Sequence, residues 1–172
     1  MNKKNNFERG YFLIETAVAL SLLTVGFLGI MVLVSRSIGL NNVARDQFVA
    51  NYLAMEGIEV SKNLIDANYV QDKPWNQGFC ENSEGDYEVA YDSVNLETNQ
   101  NRQITFDQNS GFYGYNGGQN LPFVRTIKIK CVVDSTGNNN EIKVNSIVKW
   151  TGHGGIKYEI NLEDHFFNWR LL

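Results

Sequence analysis

The sequence predicts an α+β protein: a long N-terminal helix, first transmembrane and then amphipathic, packed on a small antiparallel β-sheet. Three observations predict it. From Tyr11 to Val34 the chain carries a single charge, Glu15, before Arg36 ends the run. Between Val43 and Leu64, apolar and small residues recur at three-, four- and seven-residue steps, which is one face of a helix. After Phe123, apolar and polar residues alternate through three consecutive runs, the pattern of strands with one buried face.

Each element follows in order. The apolar run of about two dozen residues, rising ~1.5 Å per residue, spans a bilayer core of ~30 Å. Lys3, Lys4 and Arg9 precede it, and positive charge on the short side marks that side as cytoplasmic and the rest as extracytoplasmic. A carboxylate such as Glu15 inside the segment costs about 2.5–3.5 kcal/mol on insertion scales, so it calls for a compensating charge. Cleavage after Gly10 would supply one, an α-amino group on Tyr11 four residues away. No proline interrupts the chain before Pro74, so the helix is expected to run on to about Ala67. At ~1.5 Å per residue it would be ~80 Å long, more than a globular core requires. Its small-residue stripe Ala50, Ala54, Gly57 and Ser61 suits close packing on a sheet. Arg45, Asp46, Asn51, Glu59, Lys62 and Asp66 fall largely elsewhere.

Asn68 to Ser83 is rich in turn formers and reads as a connecting loop, pinned by Trp75 and Phe79. Asp86 to Asp92 alternates Tyr87, Val89 and Tyr91 against Glu88 and Ala90, a candidate strand. Gln103–Phe106 and Phe112–Tyr115 flank a short hairpin-like turn. Phe123, Arg125, Ile127, Ile129, Cys131 and Val133 then share one parity. Ile142 to Trp150 and Ile156 to Leu162 repeat the pattern after polar turns at 134–140 and 151–155. Three strands with short turns make an antiparallel meander, whose apolar face the helix stripe would cover.

With 172 residues, 12% aromatic side chains and only two prolines, the chain is composed to fold. Roughly 135 residues remain beyond the leader and the membrane segment, enough for one modest core. A formal net charge of −4 argues against bulk nucleic-acid binding. Cys80 and Cys131 are the two cysteines; outside the cytoplasm they could form a disulfide or remain two buried thiols. Neither sits in a C-x-x-C pattern, which excludes zinc-ribbon and thioredoxin-like readings.

The junction of leader and apolar run carries a recognisable pattern. Arg9-Gly10 followed by Tyr11-Phe12-Leu13-Ile14-Glu15 resembles the prepilin cleavage motif of type IV pilins and pseudopilins. The continuation Thr16-Ala17-Val18-Ala19-Leu20 through Gly26-Phe27-Leu28-Gly29-Ile30 is most similar to the minor-pilin branch. The resemblance is strong over the first 35 residues, fair to Asp66 and architectural beyond. It implies a pilin-like fold with a leader at 1–10, a transmembrane and filament-core helix at 11–35, its amphipathic continuation at 36–67 and a β-rich head at 68–172. It further implies cleavage between Gly10 and Tyr11 by a prepilin peptidase, N-methylation of Tyr11, and filament assembly guided by Glu15 through a neighbouring subunit's N-terminus. The implied partners are other pilin subunits, the peptidase/N-methyltransferase, the pilus assembly platform and, before assembly, the inner membrane. The mature chain would then reside in an extracellular pilus or a periplasmic pseudopilus. Tyr11 stands where the family more often has Phe, Phe12 where it has Thr or Ser, and the family's frequent anchor proline is absent. A type II secretion pseudopilin is the alternative within the class. A membrane-anchored extracytoplasmic binding domain with an uncleaved signal anchor is the alternative outside it.

Beyond this motif the sequence points to no catalytic site, cofactor or metal, and to no enzyme. Glu56 and Glu59 are three apart on a helix with no His or Lys cluster beside them, and read as a solvated or packing face. His153 and His165 lack ligand spacing. The Gly114–Gly118 stretch lacks the Lys-Ser/Thr ending of a phosphate loop. Lys128, Lys130, Lys143, Lys149 and Lys157 fall on the meander face opposite the core and could form a basic patch for DNA or another anionic partner. The plainer reading of the same lysines is a solvated face that discourages edge pairing.

Overall fold

The computed structural model describes residues 5–168 apart from 83, 134 and 136, with backbone only for 5–10 and His153. Lys3, Lys4, the Arg9 side chain and part of the 134–140 turn therefore lie outside the described residues. Helix α1 covers Asn5–Val70, and strands β1 Glu84–Glu88, β2 Glu97–Thr98, β3 Gln103–Phe106, β4 Tyr113–Gly114, β5 Gln119–Val133, β6 Asn139–Thr151 and β7 Lys157–Phe167 follow. The chain divides into two compact units, Met1–Ala44 and Arg45–Leu172, so the second unit begins within α1 rather than after it.

In the first unit the helix exposes its apolar side chains throughout, from Tyr11 and Phe12 to Val34 and Leu40. An 18-residue window reaches a mean hydropathy of 2.6 with none of it buried. Such a helix is long and apolar enough to cross a membrane.

The second unit is a curled antiparallel sheet under the C-terminal part of α1. β5 is its spine: one edge pairs with β6 from Phe123 to Val133. The other edge is shared in tandem, with β3 along Gln119–Val124 and β1 along Ile127–Lys130. β6 then pairs with β7 to complete the expected meander. β5 starts four residues earlier than the alternation suggested, running back across Pro122. Proline lacks an N–H for a ladder, and Pro122 takes no pairing on either side. β2 and β4, of two residues each, are held only by their neighbours.

The stripe of α1 packs on the inner sheet face as its spacing implied, with Ala50, Leu53, Ala54, Val60 and Ser61 buried; at its end Ile65 is buried and the expected Leu64 only partly so. At Gly57 the approach is closest, because a Cβ built there would meet Ile127 Cδ1 at 2.7 Å and Arg125 Cδ at 3.1 Å. Gly57→Leu should therefore destabilise this unit by about 3 kcal/mol, the upper range for overpacking, although leucine is the better helix former. Denaturant unfolding compared with the parent chain is the check.

Two apolar clusters flank this crossing. One gathers Val60, Ile65, Trp75, Phe79, Val89, Ile127, Ile129, Ile142 and Val144. The other gathers Ala50, Leu53, Ala54, Ile104, Phe123, Val148 and Trp150. Between them lies a polar layer: Arg125, Ser146 and Ser61, each fully buried. Cys80, in the loop after α1, is disulfide-bonded to Cys131 of β5 with Cα atoms 5.8 Å apart.

Candidate functional site

The N-terminal segment is the first candidate. Proline-free helix carries Tyr11 and Glu15, both exposed, with Glu15 one turn after Tyr11. Three hydroxyls of this segment are satisfied within the helix. Thr16 donates to the carbonyls of Phe12 and Leu13 at 3.0 Å, Ser21 to Val18 at 2.7 Å and Thr24 to Ser21 at 2.9 Å. Back-bonded hydroxyls add little polarity to a helix in hydrocarbon. Glu15 has no such relief: among the described residues no cation of the same chain forms an ion pair with it. Gly10 lies on the described helical backbone.

The outer sheet face is the second candidate, and there the lysines are not alone. Lys128, Lys130, Lys143, Lys149 and Lys157 do stand on this face, but carboxylates of adjoining strands are interleaved with them. Lys128 meets Glu84 at 2.7 Å, Lys143 meets Glu163 at 2.7 Å and Lys149 meets Glu159 at 3.3 Å. Lys130 is paired in the ladder with Glu84, and Lys157 with Thr151. Asp86 and Glu141 add further negative charge beside Lys128 and Val132. The alternation that put lysines on one face put glutamates there as well, and the face lacks the single-sign field that phosphate binding needs.

His165 ties edge strand β7 to β6. Its Nδ1 contacts Glu141 and its Nε2 lies 3.1 Å from Glu163. Bonds from Lys143, Asn145 and His165 hold the Glu163 carboxyl down at about 2, and bonds to Glu141 and Glu163 raise the His165 imidazole above its usual range. The Glu163 contribution is thus complete above the ordinary 4.5 and fades as pH falls toward about 2. The His165 contribution is complete below the ordinary 6.5 and fades as pH rises through the raised value. His165→Ala should lower the unfolding temperature most at about pH 5–6 and least at alkaline pH, a small effect because the groups are exposed. A pH series of thermal melts checks it.

Two buried polar constellations were not anticipated. Arg125 is fully buried and donates from Nη1 to the Leu53 carbonyl at 2.8 Å and to Glu56 at 3.1 Å, and from Nη2 to the Val89 carbonyl. The signal was present: Arg125 has the parity of Phe123 and Ile127, so one charge sat on the apolar side. Glu56 thus helps pack α1 on the sheet through Arg125. Glu88, which alternates with apolar residues in its strand, is itself fully buried. Its carboxylate accepts from the N–H groups of Gln100 and Arg102 at 2.9 Å and from Arg102 Nε at 2.6 Å. Residues 99–102 fold back over it through Asn101 in the left-handed region at φ 56°. The Arg102 guanidinium also reaches Glu97 at 2.6 Å and lies 4.5 Å from the centre of the Tyr115 ring.

Among the described residues no group of His, Cys, Asp and Glu could hold a metal ion. In comparisons with known proteins, no family model, no curated protein and no solved structure matches the chain.

Proposed function

We propose that the chain is a structural subunit, of the minor class, of a type IV pilus-like filament, cleaved after Gly10 and assembled through its N-terminal helix. One observation carries this reading. Between Tyr11 and Leu40 the proline-free helix leaves its large apolar side chains exposed and holds one carboxylate, Glu15, a turn beyond Tyr11. A membrane covers the apolar surface but leaves the carboxylate uncompensated. Assembly of several such helices supplies both apolar neighbours and the ammonium of another chain's new N-terminus. Gly26, Gly29 and Gly39 have nothing within 4 Å of where a Cβ would stand, which lets a neighbouring helix come close. The ion pair acts on register rather than net stability, since desolvation offsets most of its attraction.

Glu15→Ala should be processed and inserted in the membrane yet fail to enter filaments, by at least tenfold in immunoblots of sheared filaments. Mass analysis of membrane-extracted protein should find a mature chain beginning at methylated Tyr11. An intact Met1 with no filament incorporation would instead support an uncleaved anchor, and normal incorporation of Glu15→Ala would remove the role given to that carboxylate.

A further inference from the structure

A cavity of about 340 Å³ opens in the second unit between the 90–97 loop, Arg102 and the residues after β4. We propose that it binds a neutral saccharide of one or two sugar rings. This assignment is independent of whether the chain assembles.

Four features of the walls select that chemistry. The first is size: the volume falls at the small end of ligand pockets, which begin at about 300 Å³. The second is a fixed frame. Ser93 Oγ accepts the Ala90 N–H at 2.8 Å, closing the loop on itself. Arg102 is clamped between Glu88 and Glu97, each at 2.6 Å, and stacked on Tyr115. Tyr91 lies against Phe112 with ring centroids 4.4 Å apart and planes 15° from parallel. Little ordering is then left for the moment of binding.

The third feature is charge. Asp92 and Glu97 line the cavity, and its one cation, Arg102, already meets two carboxylates. Phosphates, carboxylates and nucleic acid are disfavoured there by the same-sign field. The fourth is the mixture of groups. Asn95 and Asn116 join Asp92 as donors and acceptors for hydroxyls, while Tyr91 and Tyr115 offer ring surface beside them. A wholly apolar ligand would leave the amides and carboxylates unpaired. A sugar ring has hydroxyls around its edge and C–H groups across its face, and so satisfies both.

Saturation-transfer NMR on the full chain, in a detergent without a sugar headgroup, tests the assignment. The probes are lactose, maltose, cellobiose and N,N′-diacetylchitobiose, with sialyllactose as the anionic comparator. At least one neutral disaccharide should show ring-proton transfer and bind at least tenfold more weakly to Tyr91→Ala and to Asp92→Ala. Both positions are exposed, and unchanged unfolding temperatures will show that the variants remain folded. The assignment is overturned if no neutral disaccharide binds at millimolar concentration. It is equally overturned if sialyllactose binds more tightly than the neutral probes, or if Asp92→Ala remains folded and binds as the parent does.

Discussion

Arg125→Ala is expected to destabilise the Arg45–Leu172 unit by about 3–5 kcal/mol, the range for breaking a buried charged constellation. Its guanidinium joins three parts of this unit: α1 through the Leu53 carbonyl and Glu56, the segment after β1 through the Val89 carbonyl, and β5 itself. Truncation removes its charge-assisted bonds, leaves the Val89 carbonyl without that donor and empties a fully buried site. Arg125→Met should cost far less, because an apolar side chain of similar length fills the volume and carries no charge to desolvate. Urea unfolding followed by tryptophan fluorescence separates the two, since Trp75 and Trp150 are buried on either side of the polar layer. Equal losses in both variants would show that the lost hydrogen bonds, not the emptied volume, set the effect.

Replacing Cys80 and Cys131 together by serine should cost nearly as much. The bond closes a loop with a sequence separation of 51, for which the chain-entropy relation gives roughly 4 kcal/mol at 25 °C. Within that loop lie the short strands β1 to β4, and the bond also ties down the end of the 71–80 connection, which has little regular structure of its own. Trp75 and Phe79 anchor the connection in the core, but two side chains do not replace a covalent closure. Reduction of the parent chain should reproduce the double variant. A melt unaffected by reductant would contradict this account.

The long regular elements could be read from the residues, because each repeats one simple period many times over. Ala50, Ala54, Gly57 and Ser61 marked the covered helix face, and the alternation from Phe123 onward marked the meander. β2 had no such signal: Glu97 and Thr98 form a strand only because β1 offers them an edge. Glu88 could not be placed because its burial depends on a loop folding back from residues 99–102, a contact that no local pattern encodes. The five outward lysines were legible individually, but the pairing of Lys128, Lys149 and Lys143 with Glu84, Glu159 and Glu163 depends on strand register. At the N-terminus the motif and its exposure were both legible, since an apolar helix with nothing packed on it follows from composition alone.

The polar layer has a mechanical consequence. Hydrocarbon contacts between a helix and a sheet carry little direction, and away from the close approach at Gly57 they leave a helix some freedom to slip. Arg125 removes that freedom, because its fork fits one carbonyl of the helix and the carboxylate three residues further on, and a slipped helix would offer neither. Pulling lengthwise on the helix should therefore meet an abrupt yield at this bond instead of gradual creep.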